Sequence, residues 1–173
     1  MIKKYIPDMY AKDIFSINYE KLKKKNIKCL LIDLDNTISP AKEELLCEKT
    51  KKLFKDLKKD IKIILFSNNF KKRVSKFAEF YDIDYAYLSL KPFFFKYKYL
   101  LKKYNLKKEE VACVGDQLLT DIKGGNKAKF YTILVNPSSE IDEKETYFNR
   151  QIEKLIFKKF KEKNILIKDK YYD

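Results

Sequence analysis

Short, unbroken runs of apolar and β-branched residues recur along this chain, and they constrain its fold more than any other feature. Strands that are covered on both faces have this continuous apolar character, whereas half-exposed strands alternate. Segments with apolar residues at helical spacing separate the runs, which predicts an α/β fold with a central parallel sheet of about five strands. The runs are Cys29–Ile32, Ile61–Phe66, Tyr85–Leu88, Val111–Val114 and Tyr131–Val135.

The length of 173 residues predicts a single domain, 1–173. Its core is expected over about 25–140, with the N-terminal segment 1–24 and an amphipathic C-terminal helix over about 147–163 packing on or flanking it. The last residues, 161–173, have no predicted role. No apolar stretch approaches the roughly 20 residues that a membrane-spanning helix needs, and no secretory signal is seen, so we expect a cytoplasmic protein.

Composition excludes several kinds of chemistry. The chain has no histidine, so histidine-based triads and histidine-ligated zinc are ruled out. Its three cysteines are widely spaced, and Cys29 and Cys113 lie in apolar runs, which favours reduced core thiols. The net charge of +14 favours anionic partners, although a lysine-rich composition bias would also explain it.

Polar and ionisable residues follow four of the five runs. In a doubly wound sheet, ligands bind beyond the carboxyl ends of the strands, so we expect these groups to converge at one edge. Clustered carboxylates repel one another, and a bound divalent cation removes that repulsion. Ligands that are oxygens only favour Mg²⁺, and a lysine beside the metal can bind an oxygen of a phosphate. The pattern therefore predicts phosphoryl transfer with a carboxylate nucleophile. The groups are Asp33-Leu34-Asp35-Asn36-Thr37, Ser67-Asn68-Asn69, Lys91-Pro92 and Gly115-Asp116 with Asp121.

These four groups, in this order, resemble the four motifs of the haloacid dehalogenase (HAD) superfamily, which implies a three-layer Rossmann-like fold. Longer strings resemble its subfamily IIIA, the YqeG branch, which is similar to mitochondrial phosphatidylglycerophosphatases. The resemblance covers about Tyr5 to Lys159. The strings are Ile6-Pro7-Asp8, Ser67-Asn68-Asn69, Lys91-Pro92, Gly115-Asp116-Gln117 through Asn126, and Phe148-Asn149-Arg150-x-x-Glu153.

The resemblance implies a role for each motif residue. Asp33 would be the nucleophile that forms an aspartyl-phosphate, and Asp35 the general acid and base. Asp33, Asp116 and the backbone carbonyl of Asp35 would hold Mg²⁺, with Asp121 in support. The phosphate would be bound by Ser67, Asn68 and Lys91. Thr37 is expected to serve the turn after Asp33.

Three features leave alternatives open. Asn68 and Asn69 could line the pocket or simply form a turn. Arg73 could reach a substrate head group, but its spacing from Phe77 favours a solvated helix face. The basic aromatic stretch 93–104 could be core, which we favour, or could lie on a membrane surface. For that surface, the candidate contacts are Lys3, Lys4, Lys96, Lys98, Lys102 and Lys103, with Phe94 or Phe95 inserting.

The intervals before Ser67 and before Lys91 have room for only one helix and one strand each, so we expect no cap domain. An open site suits a large substrate, and phosphatidylglycerophosphate is the first one to test. Reversible contact with an anionic membrane surface would follow, whereas nucleic acid is not expected. The alternatives are a phosphatase of a soluble sugar or nucleotide phosphate, a receiver-type signalling domain, and a non-catalytic basic module that binds RNA.

Overall fold

The computed structural model describes residues 2–41, 43–139 and 144–173. Within them, six parallel strands form one sheet in the order β1-β6-β5-β2-β3-β4. The strand carrying the Asp33 motif, β2, therefore lies inside the sheet, between β5 and β3. The strands are β1 Met9–Ala11, β2 Cys29–Ile32, β3 Lys62–Phe66, β4 Asp84–Ala86, β5 Val111–Gly115 and β6 Tyr131–Val135.

The sheet has one strand more than the apolar runs indicate. Strand β1 comes from the N-terminal segment, pairs with β6, and is buried at all three positions. Met9–Ala11 is short and does not belong to a longer apolar run, so the sequence gives no separate strand signal there. The third run also differs, because β4 ends at Ala86 and Leu88 adopts a left-handed backbone, with φ of 44°.

Helices cover both faces of the sheet, as the unbroken apolar runs predict. The helices are α1 Tyr19–Lys24, α2 Glu48–Leu57, α3 Lys71–Tyr81, α4 Phe95–Lys103, α5 Lys123–Ala128 and α6 Lys144–Glu162. Side chains of β2 alternate between two cores. Leu30 and Ile32 pack with residues of α1, α2 and α3, whereas Cys29 and Leu31 pack with residues of α4 and α5. The fold is therefore the expected three-layer α/β fold, and Cys29 and Cys113 are free and buried.

A third apolar cluster joins α6 and the C-terminal residues to the β1 edge. Phe160 and Leu166 are buried in it, together with Tyr10 of β1. The backbones of Tyr10 and Tyr172 exchange two hydrogen bonds, of 2.8 and 2.9 Å, as an antiparallel bridge. The residues after 160, for which the sequence predicted no role, therefore cover the edge of the sheet.

The basic aromatic stretch is divided between core and surface. Tyr97 and Leu100 are buried, as the core interpretation predicts, whereas Phe93, Phe94, Phe95 and Tyr99 are exposed. No helix in the described part of the chain is long and apolar enough to cross a membrane.

Candidate active site

The sheet brings the predicted residues to one edge. Asp33 directly follows β2, Ser67 follows β3, and Asp116 follows β5, so all three lie at the carboxyl ends of adjacent strands. The backbone N–H of Asp33 donates to the carbonyl of Val114 at 2.9 Å, which extends the β2–β5 pairing by one residue. This register fixes the start of the loop that carries Asp33 and Asp35.

Lys91 links two of the aspartates. Its ammonium group lies 2.5 Å from Asp33 Oδ1 and 2.6 Å from Asp121 Oδ1, and all three side chains are buried. Burial alone would lower the pKa of Lys91, but Asp121 and Asp33 raise it above its ordinary value. Lys91 is therefore a fixed positive charge next to Asp33.

The surroundings of Asp33 raise the pKa of its carboxyl, in spite of the nearby Lys91. Burial raises the pKa of its carboxyl well above the ordinary value, and Asp121, Asp116 and Asp35 raise it further, against the opposing effect of Lys91. A cation close to these oxygens would reverse this effect by favouring the ionised form.

Asp121 can approach Asp33 closely because residue 115 has no side chain. A Cβ atom at Gly115 would lie 2.2 Å from Cγ of Asp121, far closer than such atoms pack. Asp121 belongs to a π-helical turn, Leu118–Ile122, and its second oxygen accepts the backbone N–H of Gln117 at 3.2 Å. The glycine and the turn together place Asp121 next to Lys91, on the side of the site where Asp33 and Asp116 lie.

Asp116 is held from two sides. Thr37 donates its hydroxyl to Asp116 Oδ1 at 3.3 Å, and Arg150 of α6 pairs with Oδ2. Arg150 also pairs with Glu153 at 2.9 Å, and Glu153 accepts the backbone N–H of Leu119. Burial raises the pKa of Asp116 to about 6 and that of Glu153 to about 7, against the lowering effect of Arg150. Thr37 thus contacts a site residue as well as forming the turn.

Asp35 is held by α3 and by the loop after β3. Arg73 Nε donates to Asp35 Oδ1 at 2.8 Å, and Asn69 Nδ2 donates to Oδ2 at 3.2 Å. Arg73 also donates to the carbonyls of Glu43 and Pro40, at 2.7 and 3.2 Å. The spacing of Arg73 from Phe77 favoured a solvated helix face, and the structure shows that this interpretation is wrong. Its side chain points towards the site and joins Asp35 to the loop after β2.

Ser67 and Asn68 differ in what their side chains contact. The Ser67 hydroxyl is buried and accepts the backbone N–H of Asn69 at 3.0 Å. The Asn68 amide contacts the backbone of Lys91 twice, accepting from its N–H at 2.7 Å and donating to its carbonyl at 3.2 Å. Asn68 therefore positions the Lys91 loop in this structure.

Three carboxylates lie close enough to share a cation. Asp33, Asp116 and Asp121 each offer an oxygen, and these atoms lie within 4.8 Å of one another, all in buried side chains. The donors are oxygens only, which fits a hard divalent cation. A cation at these oxygens would favour the ionised form of Asp33 and so oppose the rise in its pKa that burial causes.

Two family models and a curated relative match the sequence of this chain. A model described as HAD-hydrolase-like matches residues 90–162, and one described as mitochondrial PGP phosphatase matches residues 2–79. The class is thus that of HAD-type hydrolases. The probable phosphatase YqeG of Bacillus subtilis (strain 168) is 39% identical over 165 residues, which is 94% of this chain and 96% of that protein. The chain belongs to the YqeG family of HAD-type phosphatases.

Solved structures show the same fold at low identity. An uncharacterised protein from Listeria monocytogenes serotype 4b aligns with a TM-score of 0.54 and 14% identity, over 67% of this chain and 85% of that chain. A 3-deoxy-D-manno-octulosonate 8-phosphate phosphatase from Moraxella catarrhalis, in complex with magnesium and phosphate ions, aligns with a TM-score of 0.51 and 16% identity, over 82% and 92%. These similarities support the fold assignment.

Proposed function

We propose that this phosphatase hydrolyses a phosphomonoester with Mg²⁺ and through an aspartyl-phosphate on Asp33. The observation that carries the proposal is the buried carboxylate of Asp33 at the end of an inner strand, 2.5 Å from the Lys91 ammonium and within reach of Asp116 and Asp121. A carboxylate is the nucleophile available in a chain without histidine and with Cys29 and Cys113 buried in the core.

The reaction has two steps. First, an oxygen of Asp33 attacks phosphorus, the bond from phosphorus to the leaving oxygen breaks, and Asp35 gives that oxygen a proton. Next, Asp35 takes a proton from water, the hydroxide attacks phosphorus, and the bond between Asp33 and phosphorus breaks, which releases inorganic phosphate. Lys91 and Ser67 bind the phosphoryl oxygens, and Lys91 holds Asp33 in place and, together with the cation, favours its ionised form.

Mg²⁺ would be held by Asp33, Asp116 and the backbone carbonyl of Asp35, with Asp121 supporting Lys91. When bound, the cation supplies positive charge that orients the phosphoryl group and offsets the charge of the aspartates. We assign Asn68 a positioning role rather than direct phosphate binding, because the Lys91 backbone uses both ends of its amide.

The substrate that we propose is phosphatidylglycerophosphate. The match of residues 2–79 to the mitochondrial PGP phosphatase model supports it. The site also has no cap within the described residues, because only α2 and β3, and then α3 and β4, separate the motif loops. A lipid head group presented by a membrane does not need a cap, whereas a small free metabolite needs water to be excluded. Peripheral contact with a membrane would follow.

One screen tests the chemistry and the substrate together. Phosphate release is measured from phosphatidylglycerophosphate in mixed micelles, from sugar phosphates and from nucleotide phosphates, with Mg²⁺ or with EDTA, for the wild type and Asp33→Asn. We expect Mg²⁺-dependent release that is fastest with the lipid and absent in Asp33→Asn. Faster release from a sugar or nucleotide phosphate would instead support the soluble-substrate alternative.

A further inference from the structure

Six large apolar side chains lie exposed on the loops beside the site and at the start of α4. Phe70 is 72% exposed, Leu90 61% and Phe95 80%. Few soluble proteins leave so many large apolar groups uncovered in one region, and such regions mark contact with other molecules or with membranes. We call this set the mouth surface; its members are Phe70, Leu88, Leu90, Phe93, Phe94 and Phe95.

Hydrogen bonds tie the loops of the mouth surface to each other. The backbone N–H of Leu88 donates to the carbonyl of Asn69 at 3.0 Å, and that of Ser89 donates to Ser67 at 3.0 Å. Lys91, which contacts Asp33, lies between Leu90 and Phe93. The backbone that carries these apolar side chains is therefore joined to the loop of Ser67 and Asn69, next to the site.

The backbone around Lys91 has an uncommon conformation. Leu88 and Leu90 have φ angles of 44° and 53°, in the left-handed region that bulky residues rarely adopt. Leu88 is 39% exposed and Leu90 61%, so neither leucine is buried in the core of this chain. Such strain is often found at functional sites.

Positive charge surrounds the mouth surface. Helix α3 begins with Lys71 and Lys72, and α4 begins at Phe95 and continues with Lys96 and Lys98; neither helix has an acidic residue in its first turn. No aspartate or glutamate occurs from Tyr85 to Lys108. Exposed aromatic rings beside lysines match the boundary between anionic head groups and acyl chains.

We propose that the mouth surface docks on an anionic phospholipid bilayer and thereby presents the site to the head groups. This inference deepens the proposed lipid substrate, but vesicle binding can be measured without any substrate. It changes the set of contacts that the sequence predicted. Lys3 and Lys4 lie near α5 and α6, towards the β1 edge, whereas the mouth surface lies at the β3–β4 end of the sheet.

Fluorescence gives the sharpest test, because the chain contains no tryptophan. Phe95→Trp places a single reporter in the mouth surface, and Leu155→Trp places a matched one on α6, where Leu155 is 62% exposed. With vesicles of phosphatidylcholine and phosphatidylglycerol, we expect a blue shift and quenching by brominated lipid for Phe95→Trp only. An equal shift at both positions, or none at Phe95→Trp, would overturn the proposal.

Flotation of the full chain with the same vesicles tests the energetics. We expect Phe94→Ser/Phe95→Ser to weaken binding about tenfold or more, and Lys96→Glu/Lys98→Glu to abolish the binding that is lost at high salt. The control Lys154→Glu/Lys158→Glu, which reverses two exposed charges on α6, should bind almost as the wild type does. Equal losses in both lysine variants would mean non-specific attraction and would contradict the assignment.

A soluble aryl phosphate separates docking from catalysis. All these variants should hydrolyse it at close to the wild-type rate, which also shows that they are folded. A wild type that hydrolyses the aryl phosphate but never floats would refute the docking while leaving the phosphatase proposal intact. A wild type that docks as described but does not hydrolyse phosphatidylglycerophosphate would support the docking and refute the substrate.

Discussion

Arg73 and Arg150 are the only arginines among the 39 basic residues, and each binds an aspartate of the site. Lysine serves the rest of this chain. A guanidinium differs from an ammonium in being planar and in donating several hydrogen bonds in fixed directions. Arg73 uses this geometry to join Asp35 to two carbonyls, and Arg150 uses it to join Asp116 to Glu153.

The two arginines should affect different kinetic constants. We expect Arg150→Ala to raise the Mg²⁺ concentration for half-maximal activity about tenfold or more, because Asp116 loses its partner. We expect Arg73→Ala to lower kcat about 10- to 100-fold with little change in the Mg²⁺ requirement, because Asp35 loses its alignment. Titration of activity with Mg²⁺ checks both. Lysine at either position should restore activity only in part, and full restoration would show that charge alone matters.

Asp33 and Asp35 should fail at different steps when they are altered. Asp33→Asn should form no covalent phosphate, because the amide is not a nucleophile. Asp35→Asn should still be phosphorylated by an aryl phosphate, whose leaving group needs no proton, and should then hydrolyse slowly. Acid-quench trapping of the phosphoenzyme distinguishes them. Full activity in either variant would contradict the assigned roles.

The strand-end residues could be found from the apolar runs, whereas Arg150 and Glu153 were named only in a family-like string and Arg73 only as an open alternative. Asp33, Ser67 and Asp116 directly follow buried runs, and parallel strands end at one edge. Arg73 and Glu153 lie on helices whose contact with the site depends on packing. Their spacing predicts only which residues share a helix face. The scarcity of arginine in a lysine-rich chain is a further signal that singles out Arg73 and Arg150.

At the scale of elements, the apolar runs predicted five of the six strands, whereas β1 gave no signal. Strand β1 has three residues, and Tyr172 pairs with it across 162 positions of sequence. The last part of the third run turns away from the sheet because Leu88 bonds to Asn69 rather than to β3. In each case a distant contact decides the local structure.

The segment after α6 should stabilise the fold without serving catalysis. Leu166 is 3% exposed in the cluster that joins α6 to β1. We expect Leu166→Ala to lower the free energy of unfolding by about 2–4 kcal/mol, because it opens a cavity. Leu155→Ala, at an exposed site on α6, should change it by less than about 0.5 kcal/mol. Urea unfolding measures both, and a silent Leu166→Ala would mean that the segment is not packed as described.

For the whole molecule, the site makes stability depend on pH. Glu153 has a pKa of about 7 against an ordinary 4.5, and Asp116 about 6 against 3.8, with burial as the main cause. The folded chain therefore holds these protons more tightly than the unfolded chain does. Without metal, stability should fall as pH rises from about 4 to about 7, with Glu153 alone contributing at most about 3 kcal/mol.

Thermal unfolding in EDTA and in Mg²⁺ across this range checks the prediction. Mg²⁺ should raise the midpoint at neutral pH and much less at the acid end, because protonated carboxyls do not bind it. The variant Glu153→Gln should have a weaker dependence on pH in EDTA. A metal-free protein that becomes more stable as pH rises would contradict the assignment.

The pairing of β1 with β6 has a consequence for synthesis on the ribosome. Met9–Ala11 is made early, but its partner Tyr131–Val135 is made more than a hundred residues later. Until then the N-terminal strand has no place in the sheet, although the inner strands β2 and β3 can already pair. Strand β1 therefore lacks its partner strand while those residues are being added. A chaperone that binds apolar segments would protect β1 from aggregation during this period.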